Sequence, residues 1–487
     1  MKLRVRTLGL DAGGKTIVII NSEDALELGV HPLERIVLRH GRKKLTVVVN
    51  ITEKFVKPGE IVIYKEVKDI LGLKSENIIE AYPREELISK GYIRKKIEGC
   101  ELNYKEIRCI LDDVLERDLN DLELASFITA LHIRGLTMKE NAALSKAMID
   151  TSEKIRFPGT VVDKHSIGGI CGDKTSLLLV PIIASCGLTI PKTSSRAITS
   201  PAGTSDRMGI LAPVDLGIDE IKRIVKKTGG CLVWGGAIAL APADDLFIQV
   251  ENPLSLDPLL LPSVMSKKKV VGSKYVVIDI PTGSGAKVKR REAKKLAVDF
   301  KTLGKELGIR VGCAFTKGDQ PIGYSIGPAL EAREALEAIM RIASPRDLIN
   351  KVLSLSGLLL KMCKKGDKKT AERILRSGKA ERKLREIIAA QGGDDKIKPD
   401  DIPYADNMTE VRSKRSGVVS CIDDDMMACL ARIAGAPKDR LAGVVLNKKL
   451  GNKVKRDEVL FTIYSEKKHR LRSALKYADK TRIYHVV

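Results

Sequence analysis

The sequence predicts a multidomain α/β protein with four parts: a β-rich N-terminal domain, a helical domain, a central mixed or parallel-sheet α/β domain, and a C-terminal α+β domain. Three observations lead to this prediction. The chain has 487 residues, whereas a single hydrophobic core usually stops growing at ~250–300 residues. The spacing of apolar residues changes along the chain from strand-like to helical, and then alternates between the two. A segment rich in Gly, Asp and Pro near residue 400 has the composition of a linker.

Residues 1–85 form the predicted β-rich domain, because short β-branched runs are separated there by Gly, Pro and charged turns. The runs that we expect to form strands are Thr16–Ile20, Leu45–Val49 and Glu60–Tyr64. This pattern is typical of a small barrel or sandwich.

The segment Gly9–Thr16 (GLDAGGKT) satisfies the P-loop pattern G-x-x-x-x-G-K-[ST]. A phosphate-binding P-loop must lead into a helix whose N-terminal amides face the phosphates. Residues 17–20 instead look like a strand. We therefore expect a hairpin turn here and no site for ATP hydrolysis.

Residues 86–160 form the predicted helical domain, and further helices are expected at about 175–225 within the next domain. Apolar residues recur at helical spacing from Asn103 onward. Three pairs have the spacing of a capping box, in which a side chain before the helix and one three residues later satisfy backbone amides. These pairs are Asn103 with Glu106, Asn120 with Glu123, and Thr137 with Glu140.

Residues 161–391 form the predicted central α/β domain, since strand-like and helical runs alternate there as in βα units around a largely parallel sheet. The expected elements include a strand-like run at Lys269–Ile280, a helix at Arg291–Gly308 and a strand at Ile309–Phe315. Residues 392–404 are the predicted linker. The C-terminal α+β domain follows at 404–487, with a predicted strand pair at Gly443–Leu446 and Val459–Tyr464.

The chain carries 85 Lys and Arg against 62 Asp and Glu, a formal net charge of +23. This favours an anionic partner, whether nucleic acid, an acidic membrane or a small molecule with phosphate. An aromatic share of 4% argues against stacking surfaces for single-stranded nucleic acid. We interpret the basic runs Lys267–Lys269 and Lys287–Arg291 as solvated surface. A specific anion site must therefore be argued from motifs.

The nine cysteines contain no C-x-x-C pair, so the sequence suggests neither a zinc cluster nor a disulfide framework. No run reaches ~18 uninterrupted apolar residues, and the N-terminal residues lack the apolar core of a signal peptide. We expect a cytoplasmic protein without a membrane partner.

The most informative segment is Lys164–Asp206. Gly168, Gly169 and Gly172 allow positive φ and close approach of the backbone to a ligand. A helix predicted to start at Thr175 or Ser176 adds free N–H donors and a favourable dipole end for an anion. The donors that follow are Thr193, Ser194, Ser195, Arg196, Thr199, Ser200 and Thr204. Such donors suit an oxyanion bound without a metal; the alternative is an ordinary loop with Ser and Thr caps.

This segment resembles the signature of the thymidine phosphorylase superfamily. The resemblance rests on Lys164-His165-Ser166 with its glycines, on Thr175-Ser176 and on SSRAITSPAGTSD from Ser194 to Asp206. It extends to Leu232–Asp245, Leu254–Pro258, Ser263–Lys268 and Asp279–Lys287. It implies that inorganic phosphate is held by Lys164, Ser166, Ser176, Ser194 and Thr204.

Within this superfamily the chain resembles the archaeal AMP phosphorylases, because the loop SRAITSP is rich in hydroxyl donors and a β-rich unit precedes the usual core. The resemblance implies Asp257 as the proton donor. The implied nucleotide-binding residues are Gly169, Ser195, Arg196, Ala197, Ile198, Thr199, Ser200, Thr204, Ser263 and Lys287. Two departures stand out: Gly209 replaces a usual Glu, and the segment from Asp257 to Ser263 is shorter than in the family.

The resemblance implies phosphorolysis of AMP to adenine and ribose 1,5-bisphosphate in nucleotide salvage, with CMP and UMP as further substrates. It implies no cofactor beyond inorganic phosphate as co-substrate, and a homodimer or larger homo-oligomer. Adenine is a poor leaving group unless protonated, which is why a general acid is expected. His165 stands beside Lys164 as a second proton-handling or structural candidate.

Four alternatives stay open. A pyrimidine nucleoside phosphorylase would ignore the 5′-phosphate and act on thymidine or uridine. A phosphoribosyltransferase of the anthranilate type would need Mg²⁺ and a pyrophosphate-bearing sugar. A basic RNA-binding protein is suggested by the net charge and the Lys-rich stretch Lys361–Lys383. A biotin or lipoyl carrier at Gly443–Ser465 is the weakest, because Lys448-Lys449 lacks the usual flanking residues.

Overall fold

The computed structural model describes residues 1–197, 200–238, 240–254 and 256–487. The chain divides into two compact units, Met1–Gly135 and Leu136–Val487. The predicted domain boundaries at 85, 160 and 391 stay predictions. The predicted fold class is confirmed: the described residues contain a β-rich N-terminal part, helices, a parallel α/β sheet and a C-terminal α+β part.

The first unit contains six strands and five helices. They are β1 (Lys2–Thr7), β2 (Ile17–Asn21), α1 (Ser22–Leu28), β3 (Arg35–His40), β4 (Lys43–Thr52), β5 (Glu60–Ile63), α2 (Lys65–Leu71), β6 (Ile78–Pro83), α3 (Ile88–Ile97), α4 (Tyr104–Leu115) and α5 (Asp121–Arg134). The strands close into a barrel in the order β1-β5-β2-β4-β3-β6. Alternate side chains fill its interior: Leu3 and Val5 of β1 are buried, while Lys2, Arg4 and Arg6, which alternate with them, are exposed.

The P-loop-like segment Gly9–Thr16 connects β1 to β2, and the strand expected after it is present. The expected hairpin is wrong, because β1 and β2 do not pair with each other and instead lie on either side of β5. The amides that a P-loop would offer to phosphate are already engaged. Ala12 N–H and Gly14 N–H both donate to a Glu66 carboxylate oxygen at 2.8 Å.

The three predicted capping boxes are confirmed at the starts of α4, α5 and of the first helix of the second unit. At α4, for example, the Asn103 side chain accepts the Glu106 N–H, and the Glu106 carboxylate accepts the Asn103 N–H. In the first unit α3 packs against both α4 and α5.

The second unit begins with a helical and α/β part. Its elements are α6 (Met138–Asp150), β7 (Val162–Ser166), α7 (Thr175–Ala184), β8 (Ile190–Ser194), α8 (Thr204–Leu211), α9 (Ile218–Thr228), β9 (Gly230–Trp234), α10 (Pro242–Leu254), α11 (Leu260–Val270), β10 (Tyr275–Thr282), α12 (Arg290–Glu306) and β11 (Arg310–Lys317). A short 3₁₀ turn spans Gly235–Ile238. The strand-like run predicted at Lys269–Ile280 is wrong at its start, because residues 269–270 end α11 and the strand begins only at Tyr275.

The remaining elements form the C-terminal part. They are β12 (Ser325–Ile326), α13 (Pro328–Ile339), α14 (Arg346–Met362), α15 (Lys368–Arg376), α16 (Lys379–Ala390), a 3₁₀ turn at Pro399–Asp401, β13 (Asn407–Arg412), β14 (Gly417–Ile422), α17 (Asp424–Ala434), β15 (Gly443–Leu446), β16 (Lys453–Val454), β17 (Val459–Ser465), α18 (Lys468–Lys480) and β18 (Tyr484–Val486). The predicted pair of strands is confirmed as β15 and β17, which run antiparallel.

Parallel strands form the centre of the second unit. Strand β10 pairs in parallel with β7 on one side and β11 on the other. Strand β8 pairs in parallel with β9, and a parallel bridge between Val161 and Thr189 connects the two groups. Because parallel strands end at one edge, the residues after β7, β8 and β9 meet there, which is where α/β proteins place ligands.

Helix α9 illustrates how the helices cover this sheet. Its buried residues Ile221, Ile224, Val225 and Thr228 recur at helical spacing, and Gly229 ends the helix at φ 79°. None of the helices in the described ranges is long and apolar enough to cross a membrane. In the C-terminal part the Lys449 ammonium is buried and donates to the Gly323 carbonyl at 2.7 Å, so it is not the exposed lysine that a carrier hairpin needs.

Candidate active site

A cavity of about 730 Å³ opens at the edge of the sheet where β7, β8 and β9 end. Its wall also includes the segment after β9 and the helices α10 and α11. A volume of this size is typical of sites for small-molecule ligands. All the elements that line it belong to the second unit.

The glycine-rich loop after β7 forms one wall. Gly168 and Gly169 have φ of 85° and 93°, a region that side chains rarely adopt. A Cβ on Gly169 would also lie 2.9 Å from the backbone nitrogen of Lys287. The loop leads into α7, which begins at Thr175 as predicted and is buried along its whole length.

Lys164 lies at the floor of the cavity in a network of buried charges. Its ammonium nitrogen is 3.7 Å from Asp173 and 3.9 Å from Asp279. Lys351 of α14 lies between the same carboxylates, at 3.2 Å and 2.8 Å. Burial opposes ionisation of Asp173, but the charges of Lys164 and Lys351 outweigh it and hold its pKa well below the usual range. The network therefore holds the Lys164 side chain between two carboxylates.

Ser166 ends β7 beside Asp279 of β10, because the two residues are partners in the parallel ladder. The Ser166 hydroxyl donates to Oδ2 of Asp279 at 3.0 Å, and the Thr316 hydroxyl donates to Oδ1 at 2.6 Å. The resemblance assigns this hydroxyl to phosphate binding, so it must turn from Asp279 to donate its one proton to a phosphate.

A second group of buried charges surrounds His165. Asp163 lies 2.7 Å from the Lys268 ammonium and 3.7 Å from that of Lys192. Burial lowers the pKa of His165 well below its usual value, and Lys268, Lys192 and Lys164 lower it further. The His165 imidazole is therefore neutral at physiological pH.

Lys192 and Lys268 are functional candidates that the sequence reasoning missed. We interpreted Lys267–Lys269 as solvated surface, which is wrong for two of the three: Lys268 is 2% exposed, and Lys267 forms an ion pair with buried Asp244. The available signal was the position of Lys192 in the otherwise uncharged strand β8, where a lysine must find a buried partner.

The loop between β8 and α8 is folded back on itself by Asp206. One oxygen of its carboxylate accepts the Ala197 N–H at 2.6 Å and the Gly203 N–H at 2.8 Å. A Cβ on Gly203 would lie 2.7 Å from the Ser195 carbonyl oxygen, so only glycine allows this closure. The Ser194 hydroxyl lies 2.7 Å from that of Ser205.

Arg196 on this loop is held in place by two contacts. Its guanidinium donates to both oxygens of Asp215, at 3.0 Å and 2.8 Å, and lies 5.0 Å from the centre of the Trp234 ring. Trp234 is the only tryptophan of the chain and lines the cavity. It is therefore an intrinsic fluorescent probe of the site.

Most of the predicted site residues meet in this cavity. Those that line it are Lys164, Ser166, Gly169, Ser176, Ser194, Ser195, Arg196, Ala197, Ser200, Thr204 and Ser263. The predicted residues Ile198 and Thr199 lie outside the described residues. At Gly209 a Cβ would meet only Val214 at 3.8 Å, so this departure from the family is not imposed by lack of space.

Asp257 and Lys287 are absent from the described lining of the cavity. They form an ion pair with each other, and the Asp257 side chain is 35% exposed. A different carboxyl, that of Asp245 in α10, lines the cavity. Its pKa is raised above the usual value by burial; the charge of Lys267 opposes this rise, and the charge of Asp244 adds to it. Sequence reasoning did not identify Asp245 as a site residue.

Comparisons with known proteins agree with this architecture. Residues 90–152 match the helical bundle domain of a glycosyl transferase family, and residues 158–381 match the α/β domain of the same family. Residues 418–485 match the C-terminal domain of pyrimidine nucleoside phosphorylases.

Full-length relatives are similar over almost the whole chain. The AMP phosphorylase of Thermococcus kodakarensis is 48% identical over 491 residues, with 99% of this chain and 97% of that protein covered. The AMP phosphorylase of Thermofilum pendens is 44% identical, with 99% and 94% covered. That of Methanocaldococcus jannaschii is 45% identical, with 98% and 96% covered.

Two solved structures share the fold at low identity. Anthranilate phosphoribosyltransferase from Thermus thermophilus has a TM-score of 0.50 at 18% identity and covers 61% of this chain and 98% of its own. The Saccharomyces cerevisiae enzyme, in complex with PRPP and Mg, has a TM-score of 0.51 at 17% identity, with 63% and 98% covered. At this identity the similarity concerns the fold alone.

Proposed function

This chain belongs to the AMP phosphorylase family, which carries the domains of the pyrimidine nucleoside phosphorylases, and we propose that it catalyses the phosphorolysis of AMP to adenine and ribose 1,5-bisphosphate. CMP and UMP are proposed as further substrates. The product sugar carries two phosphates, which fits a role in nucleotide salvage.

The observation that carries this proposal is the set of donors at one edge of the parallel sheet. Ser166 and Ser194 end the neighbouring strands β7 and β8, and they line one cavity with Lys164 of β7 and with Ser176 at the start of α7. Ammonium groups, hydroxyls and a helix N-terminus are the groups that bind phosphate in proteins. We assign inorganic phosphate to Lys164, Ser166, Ser176, Ser194 and Thr204.

The nucleotide is proposed to lie across the same cavity. Its contacts are assigned to Gly169, to residues 195–200, and to Thr204, Ser263 and Lys287. The Asp206 carboxylate supports this assignment, because it accepts hydrogen bonds from the backbone N–H groups of Ala197 and Gly203 and so fixes the loop at both positions. A loop held in one conformation loses less entropy when a ligand binds.

The reaction needs no covalent enzyme intermediate. An oxygen of inorganic phosphate attacks the anomeric carbon as the bond to the base nitrogen breaks, and the base leaves after taking a proton. The phosphate held near Lys164 also stabilises the positive charge that develops on the sugar. Positioning of the two reactants supplies much of the remaining rate enhancement.

Asp257 is the proposed proton donor to the departing base. In this conformation its carboxylate accepts a hydrogen bond from Lys287, so it must leave Lys287 and take up a proton from solvent before it can donate that proton to the base. Asp245 is a second candidate, because its carboxyl already lines the cavity and its pKa is raised by burial. Separate substitutions of Asp257 and Asp245 distinguish which of the two donates the proton.

We further propose that inorganic phosphate is the only co-substrate and that no metal or organic cofactor takes part. The protein is proposed to act in the cytoplasm as a homodimer or larger homo-oligomer. Light scattering tests the assembly, and a monomeric mass at working concentration would contradict it.

The decisive experiment incubates the pure protein with AMP, CMP, UMP, adenosine, thymidine and uridine, each with and without inorganic phosphate, and measures free base by chromatography. We expect base release from the monophosphates only when phosphate is present. Release from thymidine or uridine alone would establish a pyrimidine nucleoside phosphorylase instead. No release, together with RNA binding that weakens steeply with salt, would favour an RNA-binding protein.

A further inference from the structure

Lys192 is a cavity residue to which the proposed mechanism gives no role. It lies on β8 two residues before Ser194, lines the cavity and is 6% exposed. Its ammonium donates to the Thr193 carbonyl at 2.9 Å and lies 3.7 Å from the Asp163 carboxylate. Asp163 in turn lies closer to Lys268, at 2.7 Å. Lys192 therefore shares the Asp163 carboxylate with Lys268, which lies closer to it.

The buried charges around the cavity floor do not balance. The ammonium groups belong to Lys164, Lys192, Lys268 and Lys351, and the carboxylates belong to Asp163, Asp173 and Asp279. Other buried cations nearby have carboxylates of their own, as Lys267 has Asp244 and Arg207 has Glu331. Within these two networks of the described residues one ammonium group is left over, and the further carboxyl that lines the cavity, Asp245, is exposed to solvent. A buried charge without a partner is costly.

The groups that face Lys192 come from three elements. Strand β7 contributes Asp163, Lys164 and His165, helix α11 contributes Lys268, and strand β9 contributes Cys231. Burial raises the pKa of the Cys231 thiol strongly, and the neutral His165 carries no charge, so neither compensates an ammonium group.

The protonation of Lys192 reflects this shortage of negative charge. Burial lowers its pKa to about 7, Asp163 opposes the shift, and Lys268 and Lys164 add to it. Above neutral pH Lys192 is therefore largely the uncharged amine when no anion is bound. An anion that enters the cavity favours the charged form and restores the balance.

We propose that Lys192 is a ligand for a phosphate dianion in this cavity, and that its amine takes up one proton from solvent when the dianion binds. The dianion is either the inorganic co-substrate or the 5′-phosphate of the nucleotide, which share the same chemistry. The inference rests on the proposed function. No covalent bond forms or breaks in this step, and the proton is released when the product leaves.

Calorimetry of the whole protein at pH 8 tests this inference. Inorganic phosphate, AMP and adenosine are titrated separately in two buffers with different heats of ionisation, which gives the number of protons taken up. We expect the wild type to take up close to one proton with phosphate or with AMP, and none with adenosine. Uptake with phosphate alone assigns Lys192 to the co-substrate, and uptake with AMP alone assigns it to the 5′-phosphate.

Two variants make the result specific. Lys192→Met should remove the proton uptake and weaken binding of the dianion by about tenfold or more, as for a lost charged hydrogen bond. Lys192→Arg, which stays charged at pH 8, should bind the dianion without uptake. Lys227→Met, on the exposed face of α9, is the matched control and should behave as the wild type.

The outcomes separate this inference from the proposed function. Proton uptake that is unchanged in Lys192→Met, or unchanged affinity for both phosphate and AMP, would overturn the role of Lys192. If the wild type still cleaves AMP with phosphate, the proposed function holds even though Lys192 has no such role. A wild type that neither binds phosphate nor cleaves AMP would overturn both. Fluorescence of Trp234 and thermal unfolding check that each variant is folded.

Discussion

The carboxylate of Asp206 accepts the backbone N–H of Ala197, nine positions earlier in the chain, at 2.6 Å. The same oxygen accepts the Gly203 N–H, so one side chain holds both ends of the loop that is proposed to bind the nucleotide. Two N–H groups converging on one carboxylate oxygen are strong hydrogen bonds. The shape of this loop therefore depends on a residue that is not itself a proposed ligand.

Asp206→Ala should loosen this loop and weaken the binding of AMP. The loss of a hydrogen bond to a charged group costs about 1.5–3 kcal/mol, which corresponds to a KM for AMP raised by about 10- to 100-fold. Steady-state kinetics at saturating phosphate measures the change. Asp219→Ala, an exposed carboxylate at the start of α9, is the control. An unchanged KM in Asp206→Ala would show that the loop does not need this support.

Asp257→Asn and Asp245→Asn identify the proton donor. Loss of a general acid should lower kcat by about 10²- to 10⁴-fold, while the KM for phosphate changes little. We expect this loss in Asp257→Asn and a smaller one in Asp245→Asn, measured by release of adenine from AMP. A larger loss in Asp245→Asn would transfer the role to the carboxyl that already lines the cavity.

Much of the fold followed from local patterns. The capping box of Asn103 with Glu106 and the antiparallel pair of β15 and β17 were predicted because each depends on residues close in sequence. The start of β10 was misplaced, since apolar residues after Lys269 suit both the end of a buried helix and a strand. The prediction of a hairpin at Gly9–Thr16 is wrong because turn residues do not reveal which strands will pair.

The site was predictable to a similar degree. Lys164, Ser166, Ser176, Ser194 and Thr204 lie in a short span and line one cavity, while their roles in binding stay predictions. Lys268 was missed because a run of three lysines looks solvated in sequence, and only the approach of α11 to β7 buries one of them beside Asp163. Asp245 was missed because its position beside the cavity depends on how α10 packs, which no local pattern encodes.

Ser166→Ala should affect phosphate more than the nucleotide. The variant removes a hydroxyl that donates to Asp279 at 3.0 Å and that is proposed to bind inorganic phosphate. Phosphate is charged, and a hydrogen bond to a charged group contributes about 1.5–3 kcal/mol, so we expect the KM for phosphate to rise by about 10- to 100-fold. The KM for AMP should stay near the wild-type value. Ser473→Ala, on an exposed face of α18, is the control.

Asp424 predicts a pH dependence of stability. Its carboxyl is 2% exposed and accepts the Cys171 N–H at 2.9 Å, so the first residue of α17 contacts the glycine-rich loop. Its pKa is raised to about 7 in total, chiefly by burial. The hydrogen bond from the Cys171 N–H opposes this rise, and the charges of Asp425 and Asp423 add to it. The folded protein thus binds a proton here at pH values where the unfolded chain has already lost it.

The direction in which stability changes with pH follows from this difference in proton binding. As pH rises from about 4 to about 7, the group lowers the free energy of unfolding by about 1.4 kcal/mol per pH unit, and above pH 7 its contribution is constant. Asp424→Asn lacks this slope, so its stability relative to the wild type should increase between pH 5 and pH 7. Urea unfolding at pH 5, 6, 7 and 8 measures the difference. Asp219→Asn, an exposed carboxylate on α9, is the control, and a difference for Asp424→Asn that does not vary with pH would show that Asp424 is ionised throughout.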